Sequence, residues 1–291
     1  MPDPSEAHSA HAASGKPPAK PVVPALPAAT VTLVRDTQDG LEVLMLQRNH
    51  RSGFMPGVFL FPGGALDPED AADAVCARCA GIDDAQSSAV LGLPHGGLAY
   101  WTAAIRESFE EAGVLLAYDD AGELVNPGEP SRLERFEDYR RRLNAGEACL
   151  CEMLEREGLR LAADRLTYFG HWITPVTAPR RYDTRFFIAK APEGQEALPD
   201  NVEAIHHVWV NPAAALERNR GGGFGMRTPT IRTLEQFAKY ETADRLIAAL
   251  RKQPMVRAVL PRIGPDGRPL LPGDPGYDAV EAPHAQGKWK P

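Results

Sequence analysis

A mixed α/β chain, of the α+β kind in which strands and helices form layers, is what the sequence predicts. Three observations predict it. Short runs rich in Val, Ile, Phe, Tyr and Thr alternate with longer runs whose apolar residues recur at helical spacing. Clusters of Gly, Pro, Asn and Asp separate the two kinds of run. Hydrophobic residues make up 43% of the chain, enough for a buried core, yet no apolar run reaches the roughly 18 residues a membrane span needs.

Residues 1–29 carry seven prolines and eight alanines. Pro removes backbone donors and Ala buries little surface, so this segment is expected to be a disordered tail. Order is expected to begin at Thr30 and to run as one domain over 30–252. Residues 30–35 and 41–47 read as strands, and Asp36-Thr-Gln-Asp-Gly40 between them reads as a hairpin turn. Met55-Pro-Gly-Val-Phe-Leu-Phe-Pro-Gly-Gly64 reads as a short apolar strand entering a Gly-Gly loop. Residues 71–97 are Ala-rich and read as helix plus loop.

From Tyr100 to Ala112, apolar Trp101, Ala104, Ile105, Phe109 and Ala112 fall at helical spacing, with Gly113 as the stop. Ser131-Arg-Leu-Glu134 has the capping-box pattern and should open a charged helix ending near Gly146. A second helix should follow to about Glu157. Residues 168–174, 184–189 and 204–210 read as strands. Thr228-Pro229 reads as a helix start, opening one or two helices that run to about Lys252. Residues 253–291 form a second Pro/Gly-rich extension.

Charge and cysteine content narrow the function classes. The net charge is −7, which argues against broad nucleic-acid binding, since that needs a basic face. Four cysteines are too few for a disulfide scaffold. The first thirty residues lack the apolar stretch of a secretory signal. The expectation is a reduced, cytoplasmic protein with a small-molecule substrate, no nucleic-acid or membrane partner, and an oligomeric state left open.

The chemistry sits in Arg-Glu-Ser-Phe-Glu-Glu-Ala-Gly-Val, residues 106–114. On a helix Glu107, Glu110 and Glu111 lie at i, i+3 and i+4 and share a face. Three like charges there cost stability unless a cation holds them, and three hard oxygens suit Mg²⁺ or Mn²⁺. Arg106 could pair with and orient a carboxylate. A solvated acidic helix face is the plainer alternative.

Together with Phe61-Pro-Gly-Gly64, this segment resembles the signature of the Nudix hydrolases: Gly, five residues, an acid, seven residues, then Arg-Glu-apolar-any-Glu-Glu-any-Gly-apolar. Asp70 follows Gly64 at the right distance. Arg106 to Val114 match every fixed position except Ser108, where the family prefers an apolar residue. Between Asp70 and Arg106 lie 35 residues, where the family usually has seven. An interrupted box of this kind resembles the acyl-coenzyme A diphosphatase branch. Arg48, Ser52-Gly-Phe-Met-Pro-Gly57, Trp172-Ile-Thr-Pro175 and Arg181-Tyr-Asp-Thr-Arg-Phe-Phe187 are similar to that branch too, the first two as a partial coenzyme A motif.

The resemblance implies a mixed sheet sandwiched between helices, with helical insertions at about 71–98 and 129–165. It implies Mg²⁺- or Mn²⁺-dependent hydrolysis of a P–O–P linkage, that of coenzyme A or acyl-coenzyme A, to phosphopantetheine and adenosine 3′,5′-bisphosphate. The alternatives are another nucleoside diphosphate derivative such as ADP-ribose or NADH, and a nucleotide-binding module without hydrolysis. The residues carried over are Glu107, Glu110, Glu111 and Arg106 as catalytic, Glu107, Glu110, Glu111 and the Gly63 carbonyl toward metal, and Arg48, Gly63, Gly64 and Arg181 toward substrate. Glu111, Glu107 and Glu203 are candidates for the general base, and Arg180 is a further candidate for phosphate contact.

Three other patterns have plain readings beside sharper ones. Cys76, Cys79, Cys149 and Cys151 could bridge the two insertions through zinc or serve as small buried side chains. His206 and His207 resemble a metal pair, but neighbours on a strand face opposite ways. Arg140, Arg141 and Arg142 lie among acids and read as a solvated helix face.

Overall fold

The computed structural model describes residues 22–51, 56–200 and 202–280. In chain order the elements are β1 (Ala25–Thr37), β2 (Gly40–Arg48), β3 (Phe59–Leu60), β4 (Gly63–Ala65), α1 (Asp73–Cys76), α2 (Asp84–Leu91), α3 (Leu98–Ala112), β5 (Ala117–Tyr118), α4 (Leu133–Asn144), α5 (Leu150–Arg156), β6 (Arg160–Leu161), β7 (Thr167–Ile173), β8 (Arg181–Lys190), β9 (Ala204–Val210), α6 (Pro212–Arg220), α7 (Thr228–Phe237), α8 (Ala243–Arg251), β10 (Ala258–Val259), β11 (Arg262–Ile263) and β12 (Pro269–Leu270). The main sheet runs β10-β7-β8-β1-β2-β3, with β4 added on β1 and β9 on β2. β1 pairs with β8 in parallel and with β2 antiparallel, so the sheet is mixed.

Alternation along β1 and β2 divides the core. Val31, Leu33, Leu44 and Leu46 face α3 and the two insertions, packing with Ile105, Phe109, Phe136 and Met153. Val34, Val43 and Met45 face the other way, against Leu234 and Phe237 of α7 and Leu246 of α8. The result is three layers, helices on both faces of one sheet. Each buried aromatic or branched side chain contributes ~1.5–3 kcal/mol of transfer free energy, and both layers are rich in them. Among the described residues no helix is long and apolar enough to cross a membrane.

The structure moves several expected boundaries. β1 starts at Ala25, so residues 25–29, expected in the tail, lie in the sheet, where Ala25 to Ala29 pair with Arg181 to Arg185. Residues 1–21 and 281–291, and Ser52 to Met55 of the coenzyme A motif, lie outside the described residues. Ser131 caps nothing: α4 starts after Arg132, which is itself helical and has no side-chain cap bond, and Arg135 takes the Ser131 carbonyl instead. At α7 the cap position belongs to Arg227, Thr228 being already helical. α6 was not expected, although Asn211 caps it and Pro212 opens it.

The C-terminal extension is tied to the sheet. β10 continues it in parallel beside β7, Ala258 opposite His171 and Val259 opposite Trp172. β11 and β12 form a hairpin. The Arg262 guanidinium lies 4.1 Å from the centre of the Tyr277 ring and donates to the Tyr277 and Val280 carbonyls. Tyr277 in turn donates from its hydroxyl to the Leu260 carbonyl at 2.9 Å.

Candidate active site

α3 brings the carboxylates, and both its ends are held from outside. Gly97 at its N-cap offers no side chain, and the first-turn N–H groups need acceptors. The first insertion supplies them. Asp84 of α2 accepts from the Gly96 N–H at 2.9 Å and the Leu98 N–H at 3.0 Å. Ser88 Oγ accepts from the Gly97 N–H at 2.8 Å. Burial alone would raise the Asp84 carboxyl, but these bonds hold it below its ordinary range. At the other end Gly113 takes the left-handed conformation at φ 71° and stops the helix. Ser108, the residue that departs from the signature, is fully buried and donates its hydroxyl to the Val114 carbonyl at 2.8 Å. The stop is therefore braced by the departure.

Arg106 is the hub of the site. Its Nε and Nη2 reach Asp70 Oδ1 and Oδ2, both at 2.9 Å. Its Nη1 donates to Glu107 Oε1 and Glu110 Oε2, both at 2.9 Å, and Nη2 also donates to the Ala65 carbonyl. Asp70 lies 1% exposed on a 3₁₀ turn, Pro68–Ala71, where it also accepts from the Asp67 N–H. The long insertion thus loops out and returns, leaving the acid where a short box would put it. Burial opposes the Arg106 charge, and Asp70, Glu107 and Glu110 outweigh that and keep it protonated.

The carboxylates are strongly perturbed. Burial pushes Glu107 up to about 7 against the pull of Arg106, with Glu110 adding to the rise. Glu111 is buried deeper and is pushed well above the carboxylate range by burial and then by Glu107. Its Oε2 accepts from the Gly63 N–H at 3.0 Å. Gly64 has to be glycine, because a Cβ there would fall on the Glu107 carboxylate. A Cβ on Gly63 would lie 2.5 Å from both the Ala29 carbonyl and Thr30 Oγ1. The Gly-Gly loop therefore lets main chain meet β1 at Gly63 and the Glu107 side chain of α3 at Gly64.

A cleft of about 660 Å³ opens over this cluster. Gly63, Gly64, Arg106 and Glu107 line it, together with Arg48, Glu203 and Arg180. Arg48 reaches Glu203 Oε2 at 3.5 Å. Arg181, expected at the substrate, is elsewhere: it is 4% exposed, and its Nε and Nη1 donate to the Thr174 and Val23 carbonyls. Consecutive residues at a strand start diverge, and it is Arg180 that faces the cleft. Trp172, Tyr182, Arg227, Pro261 and Pro269 also line it. Of these, only Trp172 and Tyr182 belonged to segments singled out in the sequence; the other three carried no local signal.

Among the described residues no three His, Cys, Asp or Glu side chains are arranged to hold a metal ion by themselves. At α3 this is because Arg106 Nη1 stands between Glu107 and Glu110. All four cysteines are free: Cys149 Sγ caps α5 by accepting from the Glu152 N–H, and burial pushes the Cys79 thiol up to about 11. His206 and His207 have ring centres 6.2 Å apart. Arg141 and Arg142 pair with Asp138 and Glu152, but Arg140 leaves that face and donates to the Glu110 and Leu198 carbonyls.

Comparison with known proteins gives a consistent set of relatives. Residues 77–237 match the family model described as NUDT19 Nudix domain. That span begins after Asp70, so it is the geometry that joins Asp70 to the site. Acyl-coenzyme A diphosphatase NUDT19 of Homo sapiens is 29% identical over 241 residues, covering 72% of this chain and 63% of that protein. Its Gallus gallus counterpart is 27% identical over 241 residues, covering 70% and 63%. The chain thus spans less than two thirds of the length of these curated relatives. A crystal structure of a Nudix hydrolase from Alicyclobacillus acidocaldarius superposes with a TM-score of 0.66 at 28% identity, covering 79% of this chain and 99% of that one.

Proposed function

Because the chain belongs to the NUDT19 Nudix domain family, we propose that it is a divalent-metal-dependent diphosphatase that hydrolyses the P–O–P linkage of coenzyme A or acyl-coenzyme A. The observation that carries this reading is the Arg106 hub. One guanidinium gathers Asp70, Glu107 and Glu110, and Arg106 and Glu107 line, with Gly63 and Gly64, a cleft large enough for a nucleotide derivative. The relatives named as acyl-coenzyme A diphosphatases support the choice of substrate.

The donor set fits a hard divalent cation. Glu107 and Glu111 are buried carboxylates, the first helping to raise the second, with Arg106 Nη1 donating to Glu107 and the Gly63 N–H donating to Glu111. Two anions so placed call for added positive charge. Glu107, Glu111 and the Gly63 carbonyl would hold Mg²⁺ or Mn²⁺, and Glu110 would join them on giving up Arg106 Nη1. Bound there, the cation neutralises phosphoryl oxygens and lowers the pKa of the attacking water.

The chain's own residues do the rest. Arg106 fixes the rotamers of Glu107 and Glu110, so their oxygens are placed before substrate arrives. Gly64, lacking a Cβ, lets the Glu107 carboxylate sit against its main chain. Arg48 and Arg180 line the cleft and meet phosphate oxygens. Glu203 lines the cleft next to Arg48 and is the carboxylate available to take the proton from water. Water adds to one phosphorus, the bridging P–O bond breaks, and phosphopantetheine or its acyl form leaves from adenosine 3′,5′-bisphosphate.

The test is a panel of coenzyme A, acyl-coenzyme A, ADP-ribose and NADH, incubated with Mg²⁺, Mn²⁺ or EDTA, with products weighed by mass spectrometry. Adenosine 3′,5′-bisphosphate from the first two substrates, absent in EDTA, is the expected result. Faster cleavage of ADP-ribose or NADH would overturn the substrate, and Zn²⁺-only reactivation would overturn the ligand set.

A further inference from the structure

We propose that the C-terminal extension is a specificity element: with Arg180 and Arg227 it completes the half of the cleft that takes the phosphorylated nucleoside end of the substrate. This rests on the diphosphatase reading for the identity of that end. The matched family span stops at residue 237, so the extension stands outside it. Yet its residues reach the cleft. Pro261, between β10 and β11, and Pro269, on β12, both line the same cavity as Glu107.

The extension is built as a wall and not as a loose tail. Its β10 is hydrogen-bonded to the strand that carries Trp172. Its hairpin is closed on itself, and Arg262 and Tyr277 staple its two ends together. Two prolines with fixed φ present rigid apolar surfaces that lose little entropy on contact. Trp172, Arg180 and Arg227 line the same cavity. A plain acyl chain would desolvate those cations and gain nothing from them. A purine gains from the flat aromatic and proline surfaces, and a phosphate gains from the guanidinium forks. Ring plus phosphate is the ligand chemistry this half of the cleft fits.

The experiment is calorimetric titration of adenosine 3′,5′-bisphosphate and of 5′-AMP into the full chain in EDTA, where turnover cannot intervene. The full chain should bind the bisphosphate at least tenfold more tightly than 5′-AMP. Arg180→Gln and Arg227→Gln should each erase part of that preference, and the double variant all of it. A chain truncated after Met255 should lose at least tenfold in affinity for the bisphosphate. Should truncation lower Tm, Pro261→Gly with Pro269→Gly in the full chain carries the same question with the fold intact, and a loss of threefold or more is expected. The inference is overturned if the two nucleotides bind alike, or if the double-arginine and double-proline variants both stay within twofold of the full chain. A chain that shows these losses but hydrolyses no coenzyme A would sink the diphosphatase reading and leave this one standing. Hydrolysis of coenzyme A with bisphosphate binding indifferent to all the variants would do the reverse.

Discussion

α3 carries one Arg beside three Glu, α4 four Arg beside three acids, and they use those charges in opposite ways. In α3 one buried guanidinium serves Asp70, Glu107 and Glu110, and every partner is at least largely buried. In α4 the charges pair along the surface: Arg141 with Asp138, and Arg142 with Asp138 and Glu152. The first arrangement puts anions where water cannot screen them, so their protonation and placement respond to every neighbour. The second is screened and contributes little per pair. The difference lies in the environment, since both segments read as acidic and basic helices. It teaches that the carboxylates of a Glu-rich helix are perturbed when the fold buries them around a shared guanidinium.

The largest effect should come from Arg106→Ala. It strands three buried carboxylates, and losing one partner of a buried pair costs ~3–5 kcal/mol. Urea denaturation should show that drop, with activity lost, whereas Arg141→Ala should change the midpoint by no more than ~0.5 kcal/mol. Equal effects at the two arginines would dissolve the contrast.

Glu111→Gln comes next in size and separates chemistry from folding. Turnover should fall by about three orders of magnitude or more, the scale of a lost electrostatic stabiliser of ~4 kcal/mol. Stability in metal-free buffer should hold or rise, since Glu107 loses a neighbouring charge. Glu134→Gln, at an exposed position of α4, should move neither quantity. More than a tenth of wild-type kcat left in Glu111→Gln would remove this residue from the metal site.

A pH series sharpens the same comparison. Glu107 is raised from 4.5 to about 7 in the fold, so between those values the native state binds more protons than the unfolded chain. Stability without metal should therefore be highest at the acid side and fall as pH rises from about 4.5 through 7, by at most about 3 kcal/mol for this group. Adding Mg²⁺ should flatten that fall, because the cation takes over from the proton. The readout is Tm against pH with and without metal; a metal-free Tm that climbs steadily over this range would contradict the assignment.

The smallest effect concerns the helix start. Asp84→Ala removes the acceptor shared by Gly96 and Leu98, which should cost ~1 kcal/mol, as at ordinary caps, and should lower kcat less than Glu111→Gln does. Circular dichroism melts of the two variants side by side would show it.

Much of this site could be read from the chain. The spacing of Glu107, Glu110 and Glu111 and the stop at Gly113 are local features, and local features survive into the fold. Asp70 was harder, because 35 residues separate it from Arg106 and only the return path of the insertion joins them. Arg181 was misplaced because sequence does not say which of two neighbouring arginines a strand turns inward. Residues 25–29 were assigned to the tail on composition, yet they pair with β8 in spite of Pro27, which has no N–H to give the ladder. Pro261 and Pro269 gave no signal at all, since their place at the cleft depends on a two-residue pairing with β7.

The cap that α2 supplies to α3 bears on how the protein assembles. Asp84 and the amides it holds are only 12 and 14 residues apart, a loop that closes on the submicrosecond scale. Contacts of such short separation form early, ahead of the parallel pairing of β1 with β8 across more than 150 residues. The insertion and the helix it interrupts then make one cooperative unit, whose amides at 96–98 should exchange with solvent together with those of α2. Extra sequence placed inside a reaction motif has, in this chain, become the scaffold on which that motif first takes shape.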